Sequence, residues 1–259
     1  MNRISTVFEK ASGPILNVYA TAGFPKLGDT MLVLEALQEG GVDIIEIGMP
    51  YSDPVADGET IQQSNQISLD QGMTVALLFE QLKDLRKKVQ VPVLLMGYIN
   101  PVLQFGVERF CQKCQEVGVD GLILPDLPMA EYEAEYREVF EKYGLYNIFL
   151  ITPQTKDKRI HQIDAVSKGF IYMVSSASTT GAKSGISSEQ ALYFDRINQM
   201  NLKNPRLIGF GISDRESFLK ASSSASGAII GSAFVKLLAK SSDLKKDIIA
   251  FVREIKGTN

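Results

Sequence analysis

The sequence predicts an α/β fold, a closed (β/α)8 or TIM barrel with an extra N-terminal helix, and three observations predict it. Short runs rich in Ile, Val and Tyr recur about every 25 to 35 residues, each followed by a Gly, Pro, Ser or Asp loop and then a segment of helical period. The runs are almost continuously apolar, as expected of strands buried on both faces of a parallel sheet with right-handed crossovers. There are eight of them, the number that closes such a barrel. A doubly wound open sheet is the alternative. No proline- or serine-rich linker divides the 259 residues, so a single domain over 1–259 is expected.

In chain order, residues 4 to 12 read as a helix ahead of the first strand. The strand runs are then ILNVYATAG from Ile15, DIIEIGMP from Asp43, PVLLMGY from Pro92, GLILPDL from Gly121, YNIFLIT from Tyr146, FIYMVSS from Phe170, RLIGFGI from Arg206 and GAIIGSA from Gly227. Between them, Val75, Leu78, Leu82, Leu85 and Val89 step by threes and fours, as do Leu244, Ile248, Val252 and Ile255. Such stripes dock helices onto a sheet.

Composition removes several functions. The 27 basic and 30 acidic side chains are interspersed, which gives no electrostatic footprint for nucleic acid. No run approaches the ~18 apolar residues of a membrane span, and MNRISTVFEK has no apolar signal core, so a cytoplasmic protein is expected. Cys111 and Cys114 spell C-x-x-C, but Val107, Phe110, Cys114 and Val117 form an apolar helical stripe, which favours packed thiols over a redox or metal pair. His161 is the only histidine, which excludes Ser-His-Asp triads and multi-histidine metal sites, and it lies among charged residues on an expected surface helix. No strand run carries a lysine for Schiff-base chemistry. Proton transfer is left to carboxylates, tyrosines or groups of a substrate.

Glu46 breaks the pattern of its strand. By two-residue alternation Ile44, Glu46 and Gly48 share one face, while Ile45 and Ile47 share the other. A carboxyl pointing into the barrel is expected to bind its proton more tightly than usual, unless an Arg or Lys pairs with it. The loop YSDPVADGETIQQS follows, with Asp53 and Asp57 ahead of a helix that Thr60 and Gln63 would open as a capping box. Either aspartate fits a turn or cap as well as a site. At the other end of the chain, Gly209, Gly211, Gly231 and Ser232 follow the last two strands, where backbone N–H groups and a helix N-terminus hold phosphate in barrels of this kind. The small, polar stretch SSASTTGAKSG over 175–185 reads as a lid or a plain loop.

At this point the motifs resemble a known family. IEIGMPYSDPVADGETIQ over 45–62, LLMGYINPV from Leu94, GLILPDLP from Gly121, GFGIS and GSAFV are similar, in order, to the blocks of the tryptophan synthase alpha subunit, and the likeness runs over essentially the whole chain. The resemblance implies a lyase that performs retro-aldol cleavage of indole-3-glycerol phosphate to indole and glyceraldehyde 3-phosphate. It implies that Glu46 moves protons at indole C3 and the side-chain hydroxyl, and that Asp57 accepts the indole N–H. Tyr172 matches a position beside Glu46, and Tyr19, Tyr98, Ile123 and Phe210 match an indole pocket. Thr180 and Gly181 match lid positions, with Thr180 against Asp57 and Gly181 toward the phosphate; Ser178 and Thr179 depart from the Gly-Val that usually precedes them.

The resemblance further implies a beta-subunit partner in an alpha2beta2 assembly, met through Asp53 and Pro54. Pyridoxal phosphate belongs to that partner, with no cofactor expected in this chain. Two other readings stay open: a non-catalytic subunit that only activates a beta subunit, and another phosphate-binding barrel such as an isomerase, since fold alone does not name a reaction.

Overall fold

The computed structural model describes residues 2–54, 57–175, 188–209 and 211–258. Nine strands form one all-parallel sheet: β1 (Ile15–Thr21), β2 (Ile44–Gly48), β3 (Val93–Met96), β4 (Gly121–Ile123), β5 (Tyr146–Asn147), β6 (Leu150–Ile151), β7 (Ile171–Val174), β8 (Arg206–Gly209) and β9 (Gly227–Ile230). Their lateral order is β5-β4-β3-β2-β1-β9-β8-β7-β6.

The two edges of that order, β5 and β6, are halves of the single predicted run from Tyr146. Between them Ile148 N–H donates to the Leu122 carbonyl and Tyr172 N–H donates to the Phe149 carbonyl, both at 2.9 Å. One stave therefore serves the neighbour on one side with its first half and the neighbour on the other side with its second. The ring is closed, and the open-sheet alternative falls.

Alternation divides the core in two. Ile15, Ile44, Leu94, Ile123, Ile148, Phe170, Tyr172, Leu207 and Ile229 fill the barrel interior. Ile45, Ile47, Leu95 and Leu122 face outward into the larger cluster beneath the helices. The first helix, Arg3–Lys10, carries Ile4 into the inner cluster, with Val7 and Phe8 packed against it. Gly121 and Gly169, at the N-terminal ends of β4 and β7, lie so close to Ile4 that a Cβ would meet its methyl groups at 3.2 and 2.9 Å. That end of the barrel is a plugged floor.

The helical stripes are confirmed with one change. Leu78, Leu82, Leu85 and Val89 are all buried, but the stripe is divided among a helix Val75–Gln81, a 3-10 turn Leu82–Asp84 and a short helix Leu85–Lys88, with Val89 its extended C-cap. Cys111 and Cys114 are buried free thiols on the helix Val107–Val117, and burial raises both above the ordinary thiol range. His161 is exposed on the helix Asp157–Val166. Among the described residues no helix is long and apolar enough to cross a membrane.

Candidate active site

Glu46 points inward, as alternation requires. It pairs in register with Tyr19 of β1 and Leu94 of β3, and its solvent exposure is 0%. Among the described residues no Arg or Lys compensates it; the side chain that reaches it is Asn17, whose Nδ2 donates to Glu46 Oε1 at 2.5 Å. Glu46 Oε2 has no partner among the described residues. Burial pushes the Glu46 carboxyl up to about 8, with the Asn17 hydrogen bond opposing. At neutral pH it is therefore mostly a carboxylic acid with a proton to give.

Two tyrosines stand in the same space, each accommodated by a glycine. Tyr19 pairs with Glu46 in register and its ring lies over Gly48, two residues further along β2. Tyr172 pairs with Leu207 and its ring lies over Gly209, two residues further along β8. A Cβ on either glycine would overlap the phenol. Both rings thus lean toward the C-terminal ends of the strands, the barrel mouth. Burial, chiefly, and then the Glu46 and Asp57 carboxylates raise the proton affinity of both hydroxyls, so these residues share one electrostatic environment.

Asp57 follows β2 and is half-buried. Tyr98 Oη donates to Asp57 Oδ2 at 3.3 Å, and the Tyr98 ring rests on Tyr51 with centroids 5.3 Å apart. Burial raises the Asp57 carboxyl and the Tyr98 hydroxyl pulls it back down. The helix Glu59–Asp70 fixes the segment in place: Ser64 Oγ meets Thr21 Oγ1 at 2.7 Å, Ser68 Oγ donates to the Ala22 carbonyl at 2.5 Å, and Gln62 Nε2 donates to the Asp57 carbonyl at 2.7 Å. The predicted capping box is corrected here. The helix begins at Glu59 with Gly58 as its N-cap and no side-chain cap, so Thr60 lies inside the first turn and Gln63 donates to Glu59 instead. Gly58 replaces the hydroxyl because the chain turns into the helix two residues earlier than Thr60, directly after Asp57.

At the last two strands, Gly209 is buried in β8 and Gly211 adopts φ +78°, a conformation natural to glycine. Gly231 is the N-cap of the helix Ser232–Lys240, which carries no side-chain cap among the described residues. Its first-turn N–H groups are of the kind that binds anions. Ile123 is buried in the inner layer beside Leu94 and Tyr172. Asp53 is exposed and accepts from Ser52 Oγ at 2.5 Å, and Pro54 is half-buried next to it. Thr180, Gly181, Phe210, and Ser178 with Thr179, lie outside the described residues.

Two residues of this neighbourhood were missed from sequence. Asn17 shares a face with Tyr19 in a run read simply as apolar, and its polarity there was the available signal. Asp126, in GLILPDLP, accepts from the Ile99 N–H through Oδ1 at 3.0 Å and so steadies the backbone next to Tyr98.

The fold and its mouth define a class: a (β/α)8-barrel enzyme in which Tyr19 and Tyr172 stand in the field of two carboxyls, Glu46 and Asp57. Residues 8–258 match the family model described as tryptophan synthase alpha chain. The chain belongs to that family, whose reaction is the retro-aldol cleavage of indole-3-glycerol phosphate in tryptophan biosynthesis. A tryptophan synthase alpha chain from Flavobacterium johnsoniae is 55% identical over 256 residues, covering 99% of this chain and 100% of the relative. One from Parabacteroides distasonis is 53% identical over 238 residues, 92% of this chain and 93% of its own length. The crystal structure of the Legionella pneumophila alpha chain superposes with a TM-score of 0.89 at 31% identity, over 99% of this chain and 97% of that one. An aminoacrylate-bound tryptophan synthase from M. tuberculosis does so with a TM-score of 0.86 at 28% identity, over 98% of each chain.

Proposed function

We propose that this chain cleaves indole-3-glycerol phosphate through Glu46 and Asp57, as the alpha subunit of a tryptophan synthase. The observation that carries the reading is the Glu46 carboxyl: fully buried, without a basic partner among the described residues, and protonated up to about pH 8.

The steps follow from what each group holds. Glu46 gives its proton to indole C3, which makes the ring an iminium. Asp57, as a carboxylate accepting the ring N–H, stabilises that positive charge. Glu46, now a carboxylate, takes the proton of the adjacent side-chain hydroxyl. The oxygen forms a carbonyl, the C–C bond breaks, and its electron pair returns to the ring to neutralise the nitrogen. Glyceraldehyde 3-phosphate and indole result, and Glu46 is protonated again. Metal and Schiff base are unnecessary because the substrate's own ring accepts the electrons.

Tyr19, Tyr98, Ile123, Tyr172 and Phe210 are proposed to line the flat indole pocket, with Thr180 closing over it beside Asp57. The phosphate is proposed to bind backbone groups at Gly181, Gly209, Gly211, Gly231 and Ser232, with the helix Ser232–Lys240 lending its N-terminal N–H groups. Asp53 and Pro54 are proposed to meet the beta subunit in an alpha2beta2 assembly, with pyridoxal phosphate held by the partner.

The test is indole release from indole-3-glycerol phosphate, measured with and without a beta subunit. Glu46→Gln should lower kcat at least ~100-fold, the scale of a lost general acid–base group. Asp57→Asn should lower it comparably. Near-wild-type release from Glu46→Gln would refute the assignment.

A further inference from the structure

We propose that Asn17 is a positioning residue for Glu46, holding Oε1 so that the exchangeable proton is confined to Oε2, the oxygen left for the substrate. The proposal rests on Glu46 being the acid–base group.

Asn17 stands one alternation step closer to the floor than Tyr19, on β1, with 0% solvent exposure. The surrounding inner layer is Ile15, Ile44, Leu94, Leu207 and Ile229. An amide is a costly choice there: burying one without full pairing is unfavourable, whereas an apolar side chain of that size would simply pack. The Asn17 amide is only partly paired, with Oδ1 lacking a partner among the described residues. What it does make is the 2.5 Å bond from Nδ2 to Glu46 Oε1. Folding stability therefore gives no reason for asparagine at this position; the reason lies in what that bond does to Glu46.

The carbonyl oxygen of a carboxylic acid is a much stronger acceptor of an N–H than its hydroxyl oxygen, so a donor on one oxygen favours the proton on the other. With Nδ2–H on Oε1, the Glu46 proton resides on Oε2, which has no partner among the described residues. In the carboxylate the same N–H remains, so the side chain need not rotate between giving a proton and taking one. Among the described residues Tyr19 from β1 and Tyr172 from β7 also feel the Glu46 charge, and both feel Asp57, from the segment after β2, as well. The inner residues of β3, β4, β8 and β9 are Leu94, Ile123, Leu207 and Ile229, all apolar. Asn17 is accordingly the side chain that favours the charged form of Glu46 against the effect of burial.

The experiment uses the full chain with Asn17→Leu, close in volume and matched to the apolar layer, and Asn17→Ala as a second variant. The Glu46 carboxyl carbon is titrated by 13C NMR without substrate, and kcat and KM are followed against pH in the presence of a beta subunit. In both variants the Glu46 midpoint should rise by about one pH unit. The alkaline limb of kcat should move with it, kcat at its optimum should fall about tenfold, and KM should stay within about twofold. An unmoved midpoint overturns the proposal, whether kcat is unchanged or falls, because a fall alone reports packing. Glu46→Gln runs in parallel: full activity there sinks the acid–base reading itself, whereas an inactive Glu46→Gln beside an unmoved midpoint sinks only the role of Asn17.

Discussion

Tyr172 packs its phenol over the bare Cα of Gly209 on the next strand, and Tyr19 does the same over Gly48. In both pairs the glycine lies two residues beyond the tyrosine's register partner, so the two rings tilt the same way and form walls beside Glu46. Gly48→Ala and Gly209→Ala should each force a ring to move. The expected outcome is a loss of about 1–3 kcal/mol in stability from overpacking and a rise in KM of about tenfold, measured by denaturant unfolding and steady-state kinetics. Unchanged KM in both would mean the rings do not touch substrate.

Glu46 also makes stability depend on pH. Below the ordinary glutamate value of 4.5 both folded and unfolded chains hold the proton; between there and about 8 only the folded chain does. The folded state binds more protons in that window, so stability falls as pH rises through it, by at most ~1.4 kcal/mol per pH unit from this one group. Glu46→Gln removes the titration. Its unfolding free energy should vary less between pH 5 and pH 8, and at pH 9 it should exceed that of the wild type.

The role proposed for Asp57 needs its ionised form, and the Tyr98 hydroxyl opposes the rise that burial gives its carboxyl. Tyr98→Phe should therefore shift the acid limb of kcat/KM upward by about half a pH unit to one unit. The variant should be several-fold slower at pH 6 and closer to wild type at pH 8. A uniform loss at all pH values would assign Tyr98 to packing against the indole alone.

The floor has its own electrostatic clamp. Asp120, 3% exposed, accepts from Arg86 Nη2 at 2.5 Å, Arg3 Nη1 at 3.0 Å and the Val93 N–H at 2.8 Å. Arg86 also donates to the carbonyls of Gly118, Val89 and Val91. Arg86→Met leaves a buried carboxylate short of its main cation, which should cost about 3 kcal/mol while kcat stays within twofold, because the clamp lies at the opposite end from Glu46.

What the sequence revealed and what it hid follow from the range of the interactions. Glu46 was legible because a charge inside an apolar strand is a local anomaly, and alternation alone gives its direction. The stripe from Leu244 was legible for the same reason, its helix Leu244–Lys256 burying Ile248, Val252 and Ile255. The split of YNIFLIT into β5 and β6 was not, since it is imposed by two neighbouring strands that the run must serve at once. Asn17 was hidden because its partner lies 29 residues away and only the β1–β2 register joins them. Gly209 reads as part of a phosphate loop and Gly48 only as a member of the Glu46 face, and the room they make for a tyrosine depends on a ring from another strand.

Ile4 stoppers the cylinder from below, so among the described residues that end of the inner layer is shut to solvent. On the mechanism proposed above, a substrate bound over Glu46 would then stand between the carboxyl and bulk water, so proton exchange there should slow while the site is filled.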